Sequence, residues 1–145
     1  MNAVVMDINF RKLCNLTDKL ENQERFFDAF VHQSPVVMWC KDYTNGDGRM
    51  VFISEGHAEI FGIDPDFYQG RTDFDIFPYE VAEELRQQDL DVMANGTQTF
   101  PQIGENAFTN DPQWNRNMCI KFPIKTTDGR AVGVGGIAWP LNESG

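Results

Sequence analysis

Apolar side chains along this chain follow two different periods, and the switches between them mark out its elements. Between residues 9 and 33, Leu13, Leu16, Leu20, Phe27 and Phe30 recur at intervals of three, four, seven and three. That is the a/d seam of a helix, interrupted at Gln23. Ser34-Pro35 ends it, because a residue before proline avoids the helical region. From Val36 to Lys41 the period becomes two, with Met38 and Cys40 on one face and Val37 and Trp39 on the other. The turn-rich run Asp42 to Gly48 and a second strand from Arg49 to Ser54 complete a hairpin. Glu55 to Phe61 reads as a short helix closed by Gly62, and Asp64-Pro65 opens another turn of helix. After a connector from Gly70 to Pro78, a longer helix runs from Tyr79 to Asn95, with Val81, Leu85, Leu90 and Met93 as its apolar stripe and Gly96 as its stop.

Strands return at Thr97 to Ile103, Gln113 to Lys125 and Arg130 to Trp139, and Pro140 ends the last. In the closing hairpin, Ile120, Phe122 and Ile124 alternate with Lys121, Pro123 and Lys125, and Thr126 to Gly129 supplies the turn. Its second arm carries Gly133, Gly135 and Gly136 among valines. Glycine weakens a strand, so this run implies close approach of something, either a packed element of the fold or a ligand. Consecutive hairpins predict an antiparallel sheet of five strands in an α+β fold. The helical middle must cross from one edge to the other and cover a face, which leaves a space beneath it.

A length of 145 residues fits a single core. The net charge of −10 disfavours a nucleic-acid surface and anionic membranes. No apolar run approaches the ~20 residues of a membrane span, and the start of the chain lacks a secretion signal. A cytoplasmic protein, or a cytoplasmic piece of something larger, is the expectation. Cys14, Cys40 and Cys119 are odd in number and lack metal-site spacing, which predicts reduced thiols. No nucleophile elbow, phosphate loop or metal motif is present, so no catalytic residue and no metal ligand is assigned. Asp73, Asp75, Asp89 and Asp91 read as caps and solvated positions, because i, i+2 pairs do not face one another on a helix.

Several short segments, in this order, resemble the PAS family of sensor domains: Ser34 to Trp39; Phe52-Ile53-Ser54 with His57, Ala58 and Ile60-Phe61-Gly62; Gly70 to Phe74 with Phe77-Pro78; Asp89, Val92, Met93 and Gly96; and Phe122 to Ile124, Asp128-Gly129 and Gly133 to Ala138. The resemblance implies a five-stranded antiparallel sheet with helices over one face, preceded by the N-terminal helix. It divides the chain into a helical dimerisation or linker segment (1–33), a sensor domain (34–140) and a tail (141–145). Two positions depart from the pattern: Ser54 stands where many relatives have Asn, and Pro140-Leu141-Asn142 stands where an Asp-Ile-Thr-like triplet is common. In the family's strand order the first and fourth strands flank the fifth, which keeps Cys40 and Cys119 too far apart for a disulfide.

The family's flavin chemistry needs a cysteine in the connector, and Gly70-Arg71-Thr72-Asp73 has none. Haem needs an axial ligand. His32 ends the first helix, and His57, at a helix start, reads as a surface or capping residue. No cofactor is therefore expected. The candidate pocket lining is Met38, Cys40, Ile53, Ile60, Phe61, Phe67, Phe74, Phe77, Leu85, Met93, Met118, Ile120, Phe122 and Val134. The candidate dimer interface joins Leu13, Leu16, Leu20, Phe27 and Phe30 of the helix to Val37, Trp39, Ile137 and Trp139, which strand parity puts on the outer sheet face. The resulting expectation is a non-enzymatic sensor or interaction domain. It would form a homodimer, take a small molecule in an apolar pocket, and signal to a kinase or cyclase output domain or partner. The alternatives are a small α+β enzyme of the nuclear-transport-factor-like type and a structural dimerisation module without a ligand.

Overall fold

The computed structural model describes residues 28–29, 36–103 and 111–141. The predicted helical seam of Leu13, Leu16, Leu20, Phe27 and Phe30, together with Cys14 and His32, lies outside the described residues. Five strands form one antiparallel sheet: β1 (Val37–Asp42), β2 (Arg49–Ile53), β3 (Gln98–Ile103), β4 (Arg116–Lys125) and β5 (Ala131–Pro140). Their order across the sheet is β2-β1-β5-β4-β3. Between β2 and β3 run α1 (Glu55–Phe61), α2 (Pro65–Tyr68), a single 3-10 turn (Asp73–Asp75) and α3 (Tyr79–Asn95). The order separates the first and last hairpins in sequence yet pairs β1 with β5 at the centre, so the helical middle must pass over one face.

Local chemistry sets the boundaries. Ser54, fully buried at the end of β2, caps α1 by accepting from the His57 N–H at 3.2 Å. The same hydroxyl accepts from the Met38 N–H at 3.0 Å and donates to the Val36 carbonyl at 2.7 Å, which ties the helix start to β1. Gly62 ends α1 in the left-handed region at φ 68°, its N–H bonded to the Ala58 carbonyl. A second 3-10 turn, Pro112–Trp114, occupies the positions expected to begin the fourth strand, which starts at Arg116. Asp111 caps that turn by accepting from the Gln113 N–H, so the chain enters the strand later than its alternation suggests.

Strands β1 and β4 turn inward the faces that parity was expected to turn outward, whereas β5 keeps the expected one, with Val134 inward and Ile137 and Trp139 outward. Val37, Trp39 and Lys41 point toward the helices, as do Cys119, Lys121, Val134 and Ala138. Met38, Cys40, Met118, Ile120 and Phe122 therefore lie on the opposite face with Ile137 and Trp139. Lysine on a strand ordinarily faces solvent. Here Lys41 and Lys121 are buried by partners from the helical middle, and a shift of one position carries every neighbouring side chain to the other face. The buried stripe of α3 is likewise Ala82, Asp89 and Val92, whereas Leu90 is 36% exposed.

The glycines of β5 answer to neighbouring strands of the sheet itself. Gly136 lies between Trp39 of β1 and Lys121 of β4, and a Cβ there would collide with the Trp39 indole. On the other face a Cβ at Gly135 would collide with the Phe122 ring directly across the strand pair. Gly136→Ala is expected to lower stability by about 1–3 kcal/mol through overpacking. Urea unfolding checks this, and combining it with Trp39→Leu should restore part of the loss.

Candidate functional site

Four elements each send a charged side chain into the space between sheet and helices. Lys41 comes from β1, Lys121 from β4, Asp89 from the middle of α3 and Asp73 from the 3-10 turn. Asp89 joins them: its Oδ1 accepts from Lys121 Nζ at 2.8 Å, and its Oδ2 accepts from Lys41 Nζ at 2.8 Å and from the Tyr43 hydroxyl at 2.6 Å. Lys41 Nζ also donates to Asp73 Oδ2 at 2.5 Å, while the Tyr68 hydroxyl donates to Asp73 Oδ1. Asp89 is 0% exposed, Lys121 1% and Lys41 3%, so the network is screened from water and its charges must be balanced internally.

The protonation states follow from these partners. Burial alone would raise the Asp89 carboxyl, but Lys41 and Lys121 overcome it and hold the group at about 2. Burial alone would lower the Lys41 ammonium, yet Asp89 and Asp73 hold it well above its ordinary value. Tyr43 and Tyr68 are raised by burial and then by the neighbouring carboxylates, so both remain protonated donors. His57 is lowered to about 4, chiefly by burial, and is neutral at physiological pH. Its ring lies 4.8 Å from Phe61 and 6.0 Å from Trp39, centroid to centroid, and its Nδ1 is buried without a hydrogen-bond partner.

These groups border a cavity of about 60 Å³. Trp39, Lys41, Met50, Lys121 and Ala138 line it from the sheet. His57, Phe61, Tyr68, Asp73, Phe77 and Leu85 line it from the helical middle, and Gln102 and Asn117 complete it. Of the residues expected to line a pocket, Phe61, Phe77 and Leu85 meet here. Ile53, Ile60, Met93 and Val134 pack into the surrounding core. Met38, Cys40, Met118, Ile120 and Phe122 belong to the outer sheet face. Phe67 is 49% exposed under the Arg71 guanidinium, and Phe74 is 36% exposed against Tyr79, because their short helices bury Tyr68 and Asp73 instead. Val37 and Trp39, expected at a dimer interface, face inward, with Trp39 lining the cavity. Asp73 and Asp89, expected in solvent, and His57, expected at the surface, are buried. Among the described residues no group of His, Cys, Asp or Glu is placed to hold a metal ion. Cys40 and Cys119 are free thiols, each raised by burial and therefore weakly nucleophilic.

An antiparallel sheet crossed on one face by short helices, with a polar-centred cavity between them, defines a small α+β pocket domain. The chain matches the family model of the PAS fold over residues 31–144, and it belongs to that family. Solved structures share the architecture. The sensory box sensor histidine kinase from Vibrio cholerae is 15% identical, with a TM-score of 0.62 and coverage of 98% of this chain and 99% of that one. The PAS domain of BvgS from Bordetella pertussis is 16% identical, with a TM-score of 0.63 and coverage of 84% and 88%. VqmA of Vibrio cholerae, in a complex with ligand and DNA, is 23% identical, with a TM-score of 0.62 and coverage of 82% and 51%. The chain thus spans about half the length of that VqmA chain. A sequence search of curated proteins finds no match.

Two outcomes test the network. Asp89→Ala strands the buried Lys121 ammonium, leaves Lys41 only its bond to Asp73, and is expected to cost about 3–5 kcal/mol, read by urea unfolding. In the acid limb, His57 and Asp89 act over different windows. Each has a folded value below its ordinary one, 6.5 for His57 and 3.8 for Asp89, so each contributes stability at higher pH that is lost as pH falls. The His57 contribution should fade between about 6.5 and 4, at ~1.4 kcal/mol per pH unit at most. The Asp89 contribution should fade below 3.8. In His57→Phe the decline between pH 6.5 and 4 should shrink while the steeper loss below it remains, as measured by thermal unfolding across pH.

Proposed function

We propose that this PAS domain is a sensory module that takes a small molecule into the cavity beneath α3 and passes its occupancy to the sheet. The observation that carries the reading is the cavity itself. It is walled in part by Trp39, Phe61, Tyr68 and Phe77, yet bordered by Lys41, Asp73, Lys121, Gln102 and Asn117, and such polar groups in a plain core would more simply be replaced by apolar ones. Relatives of the same fold support it: a VqmA structure is described as bound to DPO, and another relative is a sensor histidine kinase. No group in the cavity carries the arrangement of a nucleophile with its base, and the role proposed is binding without catalysis.

Transmission follows from the register. Lys41 and Lys121 flank β5 diagonally, so any ligand that shifts Trp39 or Asp89 presses on the central strands β1, β5 and β4. Their far side carries Ile120, Phe122, Ile137 and Trp139, with Trp139 41% exposed. That apolar face is the proposed contact for a second copy of the chain or an output partner.

Ala138 offers a direct test, because its side chain points at the cavity from β5 and is small. Protein isolated gently from cells should carry a bound molecule of low mass by native mass spectrometry. Ala138→Leu, which fills the space, should lose it while remaining folded. Equal loading of both proteins would place the ligand elsewhere, and no bound mass in either, under saturation with extract metabolites, would remove the sensory reading.

A further inference from the structure

Within the cavity the charges are spent on one another. Both oxygens of Asp73 and both of Asp89 accept hydrogen bonds, from Lys41, Lys121, Tyr43 and Tyr68. Two ammonium groups face two carboxylates, so the network sums to zero. An anionic ligand would have to draw a lysine from its aspartate and leave a carboxylate bare in a dry interior. A cation would do the converse. Each exchange uncovers a buried charge and is disfavoured.

What the cavity leaves unmet is neutral. The Asn117 side-chain amide is oriented by its Nδ2, which donates to the Trp114 carbonyl at 2.9 Å, and this fixes Oδ1 as the remaining acceptor. That Oδ1 is buried and has no donor, in a residue 1% exposed. Opposite in character, the Gln102 Nε2 donates, among the described residues, to the Cys119 sulfur at 3.6 Å, a weak use of a strong donor. His57 Nδ1 is a third unpartnered atom, on a ring in contact with the aromatic wall. An unmade hydrogen bond to a buried group is costly, so a molecule that supplies a donor to Asn117 recovers what the empty cavity forgoes.

We propose that the cavity selects an uncharged, amide-like molecule, bearing an N–H or O–H donor for Asn117 and an acceptor for Gln102, over carboxylates and cations of the same shape. This rests on the reading of the cavity as a ligand site and adds the chemistry of the ligand. Size narrows it further. The cavity holds about 60 Å³, against the ~150 Å³ of an apolar cavity known to admit benzene. As the side chains stand, Asn117 Oδ1 has almost no accessible surface, so even a molecule of a few heavy atoms reaches it only by turning a neighbouring side chain. A single ring enters only if Leu85 or Phe77 yields.

Isosteric series that differ only in charge test the proposal: acetate, acetamide and acetamidinium for the small size, and benzoate, benzamide and benzamidinium for the ring. Binding is read by two-dimensional NMR at the Trp39 indole and the Asn117 side-chain amide, at neutral pH. The amide of at least one series should bind at least tenfold more tightly than both of its charged isosteres, with the Asn117 amide signals moving. Asn117→Asp, if it folds, should move the preference toward the amidinium; the wild-type series decides the matter if it does not. A charged isostere that binds as well as its amide overturns the charge selection and leaves the ligand site standing. If none of the six perturbs the cavity signals at tens of millimolar, the ligand-site reading falls and the inference with it.

Discussion

One carboxylate governs this structure. Asp89 lies in the middle of α3, wholly buried, and accepts from a lysine of β1, a lysine of β4 and a tyrosine that follows β1. A helix laid over an apolar sheet can slide or rotate at little cost, whereas one that must bring a carboxylate within reach of two ammonium groups on separate strands has a single seat. Because β5 runs between those strands, the same contact also sets the order β1-β5-β4 against alternatives. The gain is in definition of the fold more than in net free energy, since buried ion pairs repay their desolvation poorly.

The cavity is a consequence of that arrangement. Charged groups held in the middle of the sheet keep apolar side chains from closing over them, and the Tyr68 and Tyr43 hydroxyls take up the remaining carboxylate positions. Trp39 lies flat enough to need a glycine at position 136 and forms part of the floor. His57 is turned inward from the start of α1, where Ser54 fixes the helix to β1 and β2. The polar centre and the aromatic wall therefore come from different local rules, capping on one side and charge pairing on the other. They meet only through the crossing of the helical middle over the sheet.

Elements were legible in the sequence because they depend on local signals. The helix from Tyr79 to Asn95, the Gly62 cap and the turn chemistry of both hairpins follow from period, caps and glycines. The family resemblance, with its sheet of five antiparallel strands, was legible for the same reason. The faces were not. Period-two alternation states which residues share a side, never which side is inward, and the usual tie-breaker sends lysine to solvent. Lys41 and Lys121 defeat that rule because their partners, Asp73 and Asp89, are 32 and 48 residues from Lys41 and 32 residues from Lys121 in the case of Asp89. A signal was nevertheless present. Asp89 falls on the stripe of Ala82, Leu85 and Val92, Lys41 follows the apolar run Val36 to Cys40, and Lys121 interrupts the apolar run Met118 to Ile124. Carboxylate on an apolar helix stripe and lysine within an apolar strand are two misplacements that excuse one another.

The claim that Asp89 is the buried junction of this network is tested most directly at its own carboxyl carbon, by following the ¹³C chemical shift of Asp89 in the folded protein from pH 7 downward. The network requires the shift to stay flat to pH 3, because the group is held ionised to about 2 by Lys41 and Lys121. A titration with its midpoint at or above 3.8, the ordinary aspartate value, would mean that the lysines do not pair with it and would contradict the account.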